Sequence, residues 1–402
     1  MARVKTAAVI GGGIAGPVAA LALHRAGIQA TIYEAYSTSA EGIGGTIALA
    51  PNGVAALEHV GAAAAVVDRA LPSPRMVMAI GARKRVPLPS LPDVPPLRLV
   101  SRGDLYQAIY DQVAEQQVQV EWGKRLVEVR EQRSSVVAIF ADGSEAVADV
   151  LIGADGVHST VRRLIDPAAP GPRYTGMLGF EGVAGYEAPV EAGTMTFAFG
   201  KRAYYLYWPG VDGGTAWGAN LPHPQPMSLL DARAVATDQW LRTLREVYSG
   251  DEPGGELAEQ TGPDSLQVAG ALYLMPPVPR WHRGRLVLVG DAVHAPSNSS
   301  GQGASLAIES AVQLARCLRD LDDPAAAFAA YERLRRGRVE RVAKRAARTN
   351  RVKAPGPIAQ AMMAVLMPLF VKSATNFEKT LGPEQRYRID WDAPVTRDPV
   401  LA

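Results

Sequence analysis

A strand, a glycine turn and a helix follow one another near the start of this chain and limit its fold more than any other feature. The apolar run Thr6–Ile10 has the length of a strand, and Ala15–Arg25 is typical of a helix that Gly27 would end. Between them, three glycines take the spacing G-x-G-x-x-G: Gly11, Gly13 and Gly16. The first permits a tight turn, the second lets the backbone approach a pyrophosphate, and the third lets the helix pack on the strand. The segment therefore predicts a Rossmann-type dinucleotide site.

The residues around the glycine turn indicate which nucleotide it would hold. Ile14 and Ala15 open the helix, whose N-terminus offers free N–H groups and a partial positive charge to a pyrophosphate. Gln29–Tyr33 is typical of a second strand, and Glu34 ends it, 18 residues after Gly16. A carboxylate at this position accepts hydrogen bonds from ribose hydroxyls and repels a 2′-phosphate. We therefore expect the ADP part of FAD or NAD, and not the 2′-phosphorylated form found in NADP.

A second signal lies far along the chain, where another apolar run is followed by a glycine and an acid. The run 286–289 is typical of a buried strand, and Gly290 and Asp291 follow at the strand end, where α/β sheets bind ligands. The Asp291 carboxylate could accept hydrogen bonds from a sugar-like chain. A helix then opens at three residues that would face the ring end of the cofactor: Gly301, Gln302 and Gly303. A helix N-terminus stabilises the negative charge of a reduced flavin by up to about 2 kcal/mol, so the two signals together indicate a tightly held flavin.

The pattern of the chain changes between these two signals. From 173 to 275 there are short strand-like runs, many glycines and several aromatic residues, which are typical of a mostly antiparallel sheet. The predicted fold is therefore α/β, with a Rossmann-type FAD-binding domain, a mostly antiparallel β-sheet substrate domain and C-terminal helices. We expect the FAD-binding domain to be discontinuous and to comprise 1–75, 97–172 and 276–340. The substrate domain would comprise 76–96 and 173–275, and 341–402 would form a C-terminal helical segment.

Charge and cysteine content argue against several other classes of protein. The net charge is only +2, so neither a nucleic-acid partner nor a membrane surface is indicated. A basic run from Arg335 to Arg348 is interrupted by Glu340, and we expect it to cover a solvated helix face. Cys317 is the single cysteine, which excludes an intramolecular disulfide and fits a cytoplasmic location. The six histidines lack the spacing of a zinc site, so we expect no metal.

Together, these motifs resemble the single-component FAD-dependent monooxygenases of the para-hydroxybenzoate hydroxylase fold, the group A aromatic hydroxylases. Three family motifs occur in order: the glycine fingerprint with Glu34, the pair Asp155-Gly156, and the pair Gly290-Asp291. The run 327–342 is similar to the family's C-terminal helix, and 44–49 is similar to the tetracycline-inactivating branch. The chain departs from that branch at Ala48, where an Asp is usual, so a tetracycline is not predicted as the substrate.

The resemblance implies the cofactors and the reaction. FAD would be bound tightly and non-covalently, with Arg102 at its pyrophosphate, Asp291 at its ribityl chain and 301–303 at its isoalloxazine ring. Asp155 belongs to a motif that the family links to both FAD and NAD(P)H. NADPH or NADH would reduce the flavin transiently, and O₂ would then form a C4a-hydroperoxyflavin that hydroxylates an aromatic or polycyclic small molecule. The chemistry is centred on the flavin, and we identify no side chain as an acid or a base.

Candidates for substrate contact come from two places in the chain. Tyr205, Tyr207 and Trp217 lie in strand-like runs and could stack on a flat ligand, but packing of the sheet on helices is equally compatible with the pattern. Alternation places Tyr205 and Tyr207 on one face of their strand. Pro296 and Asn298, in the loop before the ring-facing helix, are the other two candidates.

Other functions use the same scaffold and stay open at this point. They are a Baeyer–Villiger-type oxygenation, a flavin-dependent reduction, and binding of flavin or ligand without turnover. The choice between NADH and NADPH stays open as well, as does the choice between a monomer and a homodimer. The resemblance to these hydroxylases favours an enzyme of secondary metabolism.

Overall fold

Six strands form the central sheet, in which only the first is antiparallel to its neighbour. The computed structural model describes residues 3–38, 45–81, 84–350 and 374–396. In spatial order the strands are β18 (His282–Arg283), β19 (Leu286–Leu288), β12 (Val150–Gly153), β1 (Thr6–Ile10), β2 (Gln29–Tyr33) and β8 (Gln119–Glu121). Because β1 and β19 run parallel on either side of β12, both signals of the sequence end at the same edge of this sheet.

The central sheet is buried because its strands are apolar on both faces, as is usual for parallel strands. Val9 on β1, Ile32 on β2 and Leu288 on β19 have no exposed surface. Two helices that pack against each other, α1 (Ala15–Arg25) and α9 (Gly303–Asp320), begin just after the glycine turn and at the second signal. The predicted order of strand, helix and strand at the start of the chain is confirmed with the predicted bounds.

A second, seven-stranded sheet is antiparallel at every pairing except one, which joins Thr194–Phe199 to Arg75–Ile80. In spatial order it comprises β17 (Gln267–Leu274), β13 (Arg173–Ala184), β16 (Thr215–Pro222), β15 (Tyr204–Pro209), β14 (Thr194–Phe199), β5 (Arg75–Ile80) and β6 (Lys84–Pro87). The predicted mostly antiparallel sheet is therefore confirmed. The exact boundaries between the two domains stay a prediction.

The other strands of the described residues form two small antiparallel sheets. The first contains β3 (Thr46–Leu49), β7 (Leu97–Ser101) and β4 (Leu71–Ser73), and the second contains β11 (Glu145–Ala148), β10 (Val136–Phe140) and β9 (Leu126–Glu131). Leu99 on β7 packs in one apolar cluster with Met195, Trp208 and Ala216 of the seven-stranded sheet. The inner face of the seven-stranded sheet is therefore the face that meets the rest of the molecule.

The described residues form further helices besides α1 and α9. They are α2 (Pro51–Glu58), α3 (Ala63–Arg69), α4 (Arg102–Glu115), α5 (Thr160–Ile165), α6 (Leu229–Ala234), α7 (Thr237–Tyr248), α8 (Gly254–Glu259), α10 (Pro324–Asn350) and α11 (Ala374–Gln385). Residues of α7 and α8, among them Leu244 and Leu257, form a core with the outer face of the seven-stranded sheet. The predicted C-terminal helices are confirmed by α10 and α11, while 351–373 and 397–402 of that segment lie outside the described residues.

Candidate cofactor and substrate site

The glycine turn has the geometry that its spacing predicts. Gly11 has a φ of +108°, and a Cβ there would lie 2.5 Å from the carbonyl oxygen of Ala154. A Cβ on Gly16 would lie 1.9 Å from the carbonyl oxygen of Gly11, so α1 can approach the turn only without one. A Cβ on Gly13, in contrast, would meet no described atom within 4 Å. The turn is packed against protein at two glycines and open at the third, where a ligand can reach the backbone.

The N-terminus of α1 is available to an anion. Ile14 occupies the N-cap position, and within the described part of the chain no side chain caps this end, nor does its first turn contain an acid. The first N–H groups of the helix and the positive end of its dipole are therefore free to bind a phosphate. Gly290 lies against the same helix start, since a Cβ on it would be 2.8 Å from the Cβ of Ala15. The structure thus brings together two motifs that are almost 280 residues apart in the sequence.

Glu34 lies beside the glycine turn at the end of β2. Its Oε2 accepts a hydrogen bond from the N–H of Gly12 at 2.6 Å, and its Oε1 accepts one from the N–H of Tyr36 at 3.0 Å. The hydroxyl of Tyr110 donates to the carbonyl oxygen of Gly12 at 2.8 Å, so this tyrosine of α4 also fixes the turn. Sequence reasoning missed Tyr110, for which the only available signal was its place on the helix that begins with Arg102.

The carboxylate of Asp155 is hydrogen-bonded to the start of a neighbouring helix. Its Oδ1 accepts from the hydroxyl of Ser159 at 2.5 Å, and its Oδ2 accepts from the N–H groups of Thr160 at 2.7 Å and Val161 at 3.1 Å. These bonds cap the start of α5, and burial raises the pKa of the Asp155 carboxyl despite them. Its peptide is the one that abuts Gly11, so we expect its effect on a cofactor to pass through the position of the glycine turn.

Arg162, which the sequence analysis did not single out, joins this loop to the second motif. The side chain is 3% exposed, and its guanidinium donates to the carbonyl oxygens of Ala292 and Val157, both at 2.8 Å. The arginine therefore connects the loops that follow β12 and β19. The sequence could not reveal this role of Arg162, because its hydrogen-bond partner Ala292 lies in a loop 130 residues further along the chain.

Asp291 lies in the recess between these loops. Its side chain is exposed, but enough protein surrounds the carboxyl that desolvation raises its pKa to about 6, while the positive charge of Arg102 lowers it. Arg102 is exposed and begins α4, and its N–H donates to the carbonyl oxygen of Gly45 at 3.0 Å. A carboxylate and a guanidinium that face the same open recess suit the hydroxyls and the pyrophosphate of a dinucleotide.

The start of α9 is open, as expected of a ring-facing helix. Within the described residues, a Cβ on Gly301 or Gly303 would meet no atom within 4 Å. Gln302 is buried instead, and its Oε1 accepts a hydrogen bond from Nδ2 of Asn52 at 2.9 Å. The same Nδ2 lies 2.6 Å from Oε1 of Glu309, about two turns further along α9. The first turn of α9 is therefore held from behind by α2 and has open space in front.

The basic run on α10 is not a solvated face throughout, which corrects the expectation from the sequence. Arg335 is 0% exposed and Arg338 is 7% exposed, because both pair with the fully buried Glu309 at 2.7 and 2.8 Å. Burial on its own would raise the pKa of Glu309, but the two guanidinium groups lower it below its usual range. One buried carboxylate between two cations is a strong tie between α9 and α10. Its partner lies 26 residues before Arg335, so helical spacing alone could not reveal it.

The aromatic candidates for substrate contact lie away from the recess. Tyr205, Tyr207 and Trp217 are 2%, 3% and 0% exposed and belong to the core between the seven-stranded sheet and α7 and α8. The indole of Trp217 donates to the hydroxyl of Thr261 at 2.9 Å, and the hydroxyl of Tyr205 accepts from the N–H of Gly254 at 3.2 Å. The structure favours the packing alternative for all three residues, and we no longer assign them a ligand contact.

Pro296 and Asn298 lie in the loop between Asp291 and α9. Nδ2 of Asn298 lies 3.5 Å from Oδ1 of Asn220 on β16, so this loop reaches the inner face of the seven-stranded sheet. Pro296 is half-buried and lines a cavity of about 320 Å³ between this loop, the end of β17 and α10. That cavity is mainly apolar, with Arg173, Arg336 and Lys344 at its wall. Its lining contains none of the fingerprint residues, so we distinguish it from the cofactor recess.

The described ranges contain neither a metal cluster nor a membrane-spanning helix. Among residues 3–38, 45–81, 84–350 and 374–396, no three His, Cys, Asp or Glu side chains lie together as a metal site would need. None of the helices in these ranges combines the length and the apolar character needed to cross a membrane.

Comparison with known proteins agrees with this geometry. The chain matches a family model described as FAD binding domain over residues 3–204 and 277–346. It is 31% identical over 344 residues to an FAD-dependent urate hydroxylase from Klebsiella pneumoniae, covering 83% of this chain and 86% of the relative. It is also 31% identical to 3-amino-4-hydroxybenzoate 2-monooxygenase PtmB3 from Streptomyces platensis, over 84% of this chain and 86% of that protein.

Solved structures show the same architecture. The crystal structure of HpxO from Klebsiella pneumoniae with FAD and uric acid superposes with a TM-score of 0.80 at 26% identity, covering 94% of this chain and 95% of that one. Tetracycline destructase Tet(55) superposes with a TM-score of 0.70 at 23% identity, over 97% and 99% of the two chains. At that identity the second likeness concerns the fold alone.

Proposed function

The chain belongs to the FAD binding domain family and is an FAD-dependent monooxygenase, and from this premise we propose that it hydroxylates an aromatic or polycyclic small molecule. O₂ would be the oxygen donor and NADH or NADPH the reductant. One observation carries the proposal: Gly290 packs against the start of α1 beside the glycine turn, and the adjacent Asp291 interacts electrostatically with Arg102. Relatives that share about 31% identity over most of the chain hydroxylate urate and an aminohydroxybenzoate, which supports a planar substrate.

The residues of the recess fit FAD. Gly13 leaves room for the pyrophosphate at the uncapped N-terminus of α1, and Arg102 would neutralise its charge. Glu34 would accept from the ribose of the ADP part, although its carboxylate oxygens also hold the N–H groups of Gly12 and Tyr36. Asp291 would accept from the ribityl hydroxyls. The open residues Gly301 and Gly303 would leave the N–H groups at the start of α9 to the isoalloxazine ring.

The protein would contribute position and environment to the reaction. FAD, when bound and reduced by NADH or NADPH, supplies the activation of O₂. The inner face of the seven-stranded sheet would cover the ring and hold the substrate against it, because this face meets β3 and β7 on one side and the Asn298 loop on the other. Excluding water from that space protects the activated oxygen from being lost to the solvent.

The test begins with the purified protein. Its visible absorption spectrum and the flavin released on heating should identify FAD at about one per chain. NADH and NADPH consumption and O₂ uptake are then measured with a panel of phenols, purines and polycyclic rings, and products are analysed by mass spectrometry under ¹⁸O₂. We expect at least one compound to stimulate both rates and to gain one ¹⁸O atom.

Two results would contradict the proposal. A protein that fails to bind added FAD would remove its basis. A flavoprotein that reduces a substrate anaerobically, or that inserts oxygen next to a ketone, would instead support a reductase or a Baeyer–Villiger enzyme. Light scattering on the same sample decides between a monomer and a homodimer, neither of which the mechanism requires.

A further inference from the structure

The start of α2 packs closely against the first turn of α9. Ala50, directly before α2, donates its N–H to the hydroxyl oxygen of Ser305 at 3.2 Å. A Cβ on Gly53 would lie 2.5 Å from the same oxygen and 2.8 Å from the Cβ of Ser305, so only a glycine permits this approach. Ser305 is 1% exposed and belongs to the first turn of α9. The first turn of α2 therefore fixes the first turn of α9 from behind.

Asn52, on the same turn of α2, donates from a single amide nitrogen to two oxygens of α9 and its N-cap. Its side chain is 1% exposed, and its Nδ2 lies 2.9 Å from Oε1 of Gln302 and 2.6 Å from Oε1 of Glu309. Burial would raise the pKa of Glu309, but the guanidinium groups of Arg335 and Arg338 hold it below its usual range, so this carboxylate can only accept. The charge of Glu309 thus turns the N–H₂ end of Asn52 toward α9, and Gln302 must then present its oxygen.

The amide of Asn52 suits this double contact better than it suits a protein core. Its Oδ1 is buried and accepts no hydrogen bond from any described residue. An unsatisfied buried oxygen is unfavourable, and native proteins keep few of them. A serine or threonine would avoid this oxygen but would bring one donor instead of two, and a lysine would add a charge. The unfavourable oxygen therefore accompanies a contact that no smaller side chain could make.

Gln302 extends this contact to the open side of α9. It occupies the N-cap position between Gly301 and Gly303, and a Cβ on either glycine would meet no described atom within 4 Å. Its side chain is 2% exposed and contacts Asn52, whereas the N–H groups of the first helical residues lack partners within the helix. Under the proposed function these N–H groups would face the isoalloxazine ring. A helix N-terminus favours negative charge, so a shift of this helix start would affect the anionic reduced flavin more than the oxidised flavin.

We propose that Asn52 is a positioning residue for the reduction of FAD. Through Gln302 it holds the start of α9 against the isoalloxazine ring, and the helix start in that position keeps the reduction potential of bound FAD high. The inference rests on the proposed function, in which NADH or NADPH transfers a hydride to oxidised FAD, giving the anionic FADH⁻ and NAD⁺ or NADP⁺. Asn52 lies behind α9 and acts without touching the ring. Loss of its amide should therefore weaken the binding of reduced FAD more than that of oxidised FAD.

The test is the two-electron reduction potential of FAD bound to Asn52→Leu, measured without substrate by reductive titration against a reference dye. Leucine has a similar shape and removes both donated hydrogen bonds. We expect the affinity for reduced FAD, relative to oxidised FAD, to fall about 3- to 10-fold, which makes the potential about 15 to 30 mV more negative. Gln302→Met removes the acceptor from the other side and should shift the potential in the same direction. The double variant should shift it no further than Asn52→Leu alone, because both changes break one contact.

Thr261→Val is the matched control for a purely structural effect. Thr261 is 1% exposed, and its hydroxyl accepts from the indole of Trp217 and donates to the carbonyl oxygen of Leu257, in the core beneath α7 and α8. This change should lower the melting temperature and leave the potential where it is. If Asn52→Leu does not fold, Gln302→Met decides the question. The inference is overturned if the potential is unchanged or raised, if Thr261→Val lowers it equally, or if neither variant at the α2–α9 contact folds, because that contact would then serve folding alone. Absence of FAD from the unchanged protein, or of NAD(P)H-driven O₂ uptake, would instead count against the proposed function itself.

Discussion

Replacing Glu309 by glutamine tests the buried charge cluster most directly. Glu309 forms an ion pair with Arg335, with 2.7 Å between Oε2 and Nη1. It accepts hydrogen bonds from Arg338 at 2.8 Å through both carboxylate oxygens and from Asn52 at 2.6 Å. The amide keeps the shape but leaves two buried guanidinium groups without an anion. Removing one partner of a buried pair costs about 3–5 kcal/mol. Arg338 retains the carbonyl oxygens of Pro383 and Glu384, and Arg335 retains the hydroxyl of Ser310 and the carbonyl oxygen of Leu306. We therefore place the loss near the lower limit, about 3 kcal/mol.

The assay is urea unfolding of the FAD-loaded protein at pH 7, followed by tryptophan fluorescence and by circular dichroism. Glu332→Gln is the matched control, because Glu332 pairs with Arg336 at a similar 2.7 Å but both side chains are about a quarter exposed. Such a partly exposed pair contributes at most about 1 kcal/mol. If Glu309→Gln lowers the free energy of unfolding no more than Glu332→Gln does, then the cluster is not the tie between α9 and α10 that we describe.

Three further predictions concern the recess and its surroundings. Gly16→Ala should lower both the melting temperature of the apoprotein and its FAD content, because the new Cβ would lie 1.9 Å from a carbonyl oxygen. Gly13→Ala should lower the FAD content alone, because a Cβ there meets no described atom within 4 Å. Melting curves of the apoproteins and flavin titration distinguish the two variants, and equal melting temperatures would argue against the described packing. Asp291→Asn should weaken the binding of FAD about 10- to 100-fold, because a charged acceptor is lost. The same change should stabilise the apoprotein at pH 7, because the raised pKa means that the ionised carboxylate is unfavourable in the folded protein. Fluorescence titration with FAD and melting of the apoprotein measure the two effects, and an unchanged FAD affinity would remove Asp291 from the site. Burial lowers the pKa of His294 to about 3, so the unfolded chain takes up a proton around pH 6.5 that the native protein does not bind. The free energy of unfolding should therefore fall with decreasing pH, with a slope that steepens from about 0.7 kcal/mol per pH unit at pH 6.5 to about 1.4 near pH 5. His294→Gln should flatten this part of the pH profile of unfolding, exposed His24→Gln should not, and equal slopes would contradict the assignment.

Local sequence rules were sufficient for the cofactor half of the molecule. The bounds of β1, α1 and β2 match the prediction because strand length, glycine spacing and the stop at Gly27 are all encoded within a few residues. The sequence also predicts that Asp291 lies near the glycine turn, because the carboxyl ends of parallel strands lie at one edge of a sheet. Whether each predicted residue contacts FAD stays a prediction that the variants above test.

The substrate half depended on information that the local sequence does not contain. Alternation places Tyr205 and Tyr207 on the same face of their strand. Both faces of that sheet are covered by other parts of the protein, and the local sequence does not indicate which face packs against the helices α7 and α8. The pattern on α10 alone predicts Arg335 in solvent, because its partner Glu309 is on a different helix.

The recess combines residue 11 with residue 303, and this has a consequence for biosynthesis. Nearly 300 residues must leave the ribosome between the two, which takes roughly 15–60 s at ordinary rates of synthesis. During that interval the glycine turn has no Asp291 and no α9 to complete the site. FAD loading should therefore be a late event that reports completion of α9, and ribosome-bound chains that end before residue 303 should emerge without flavin.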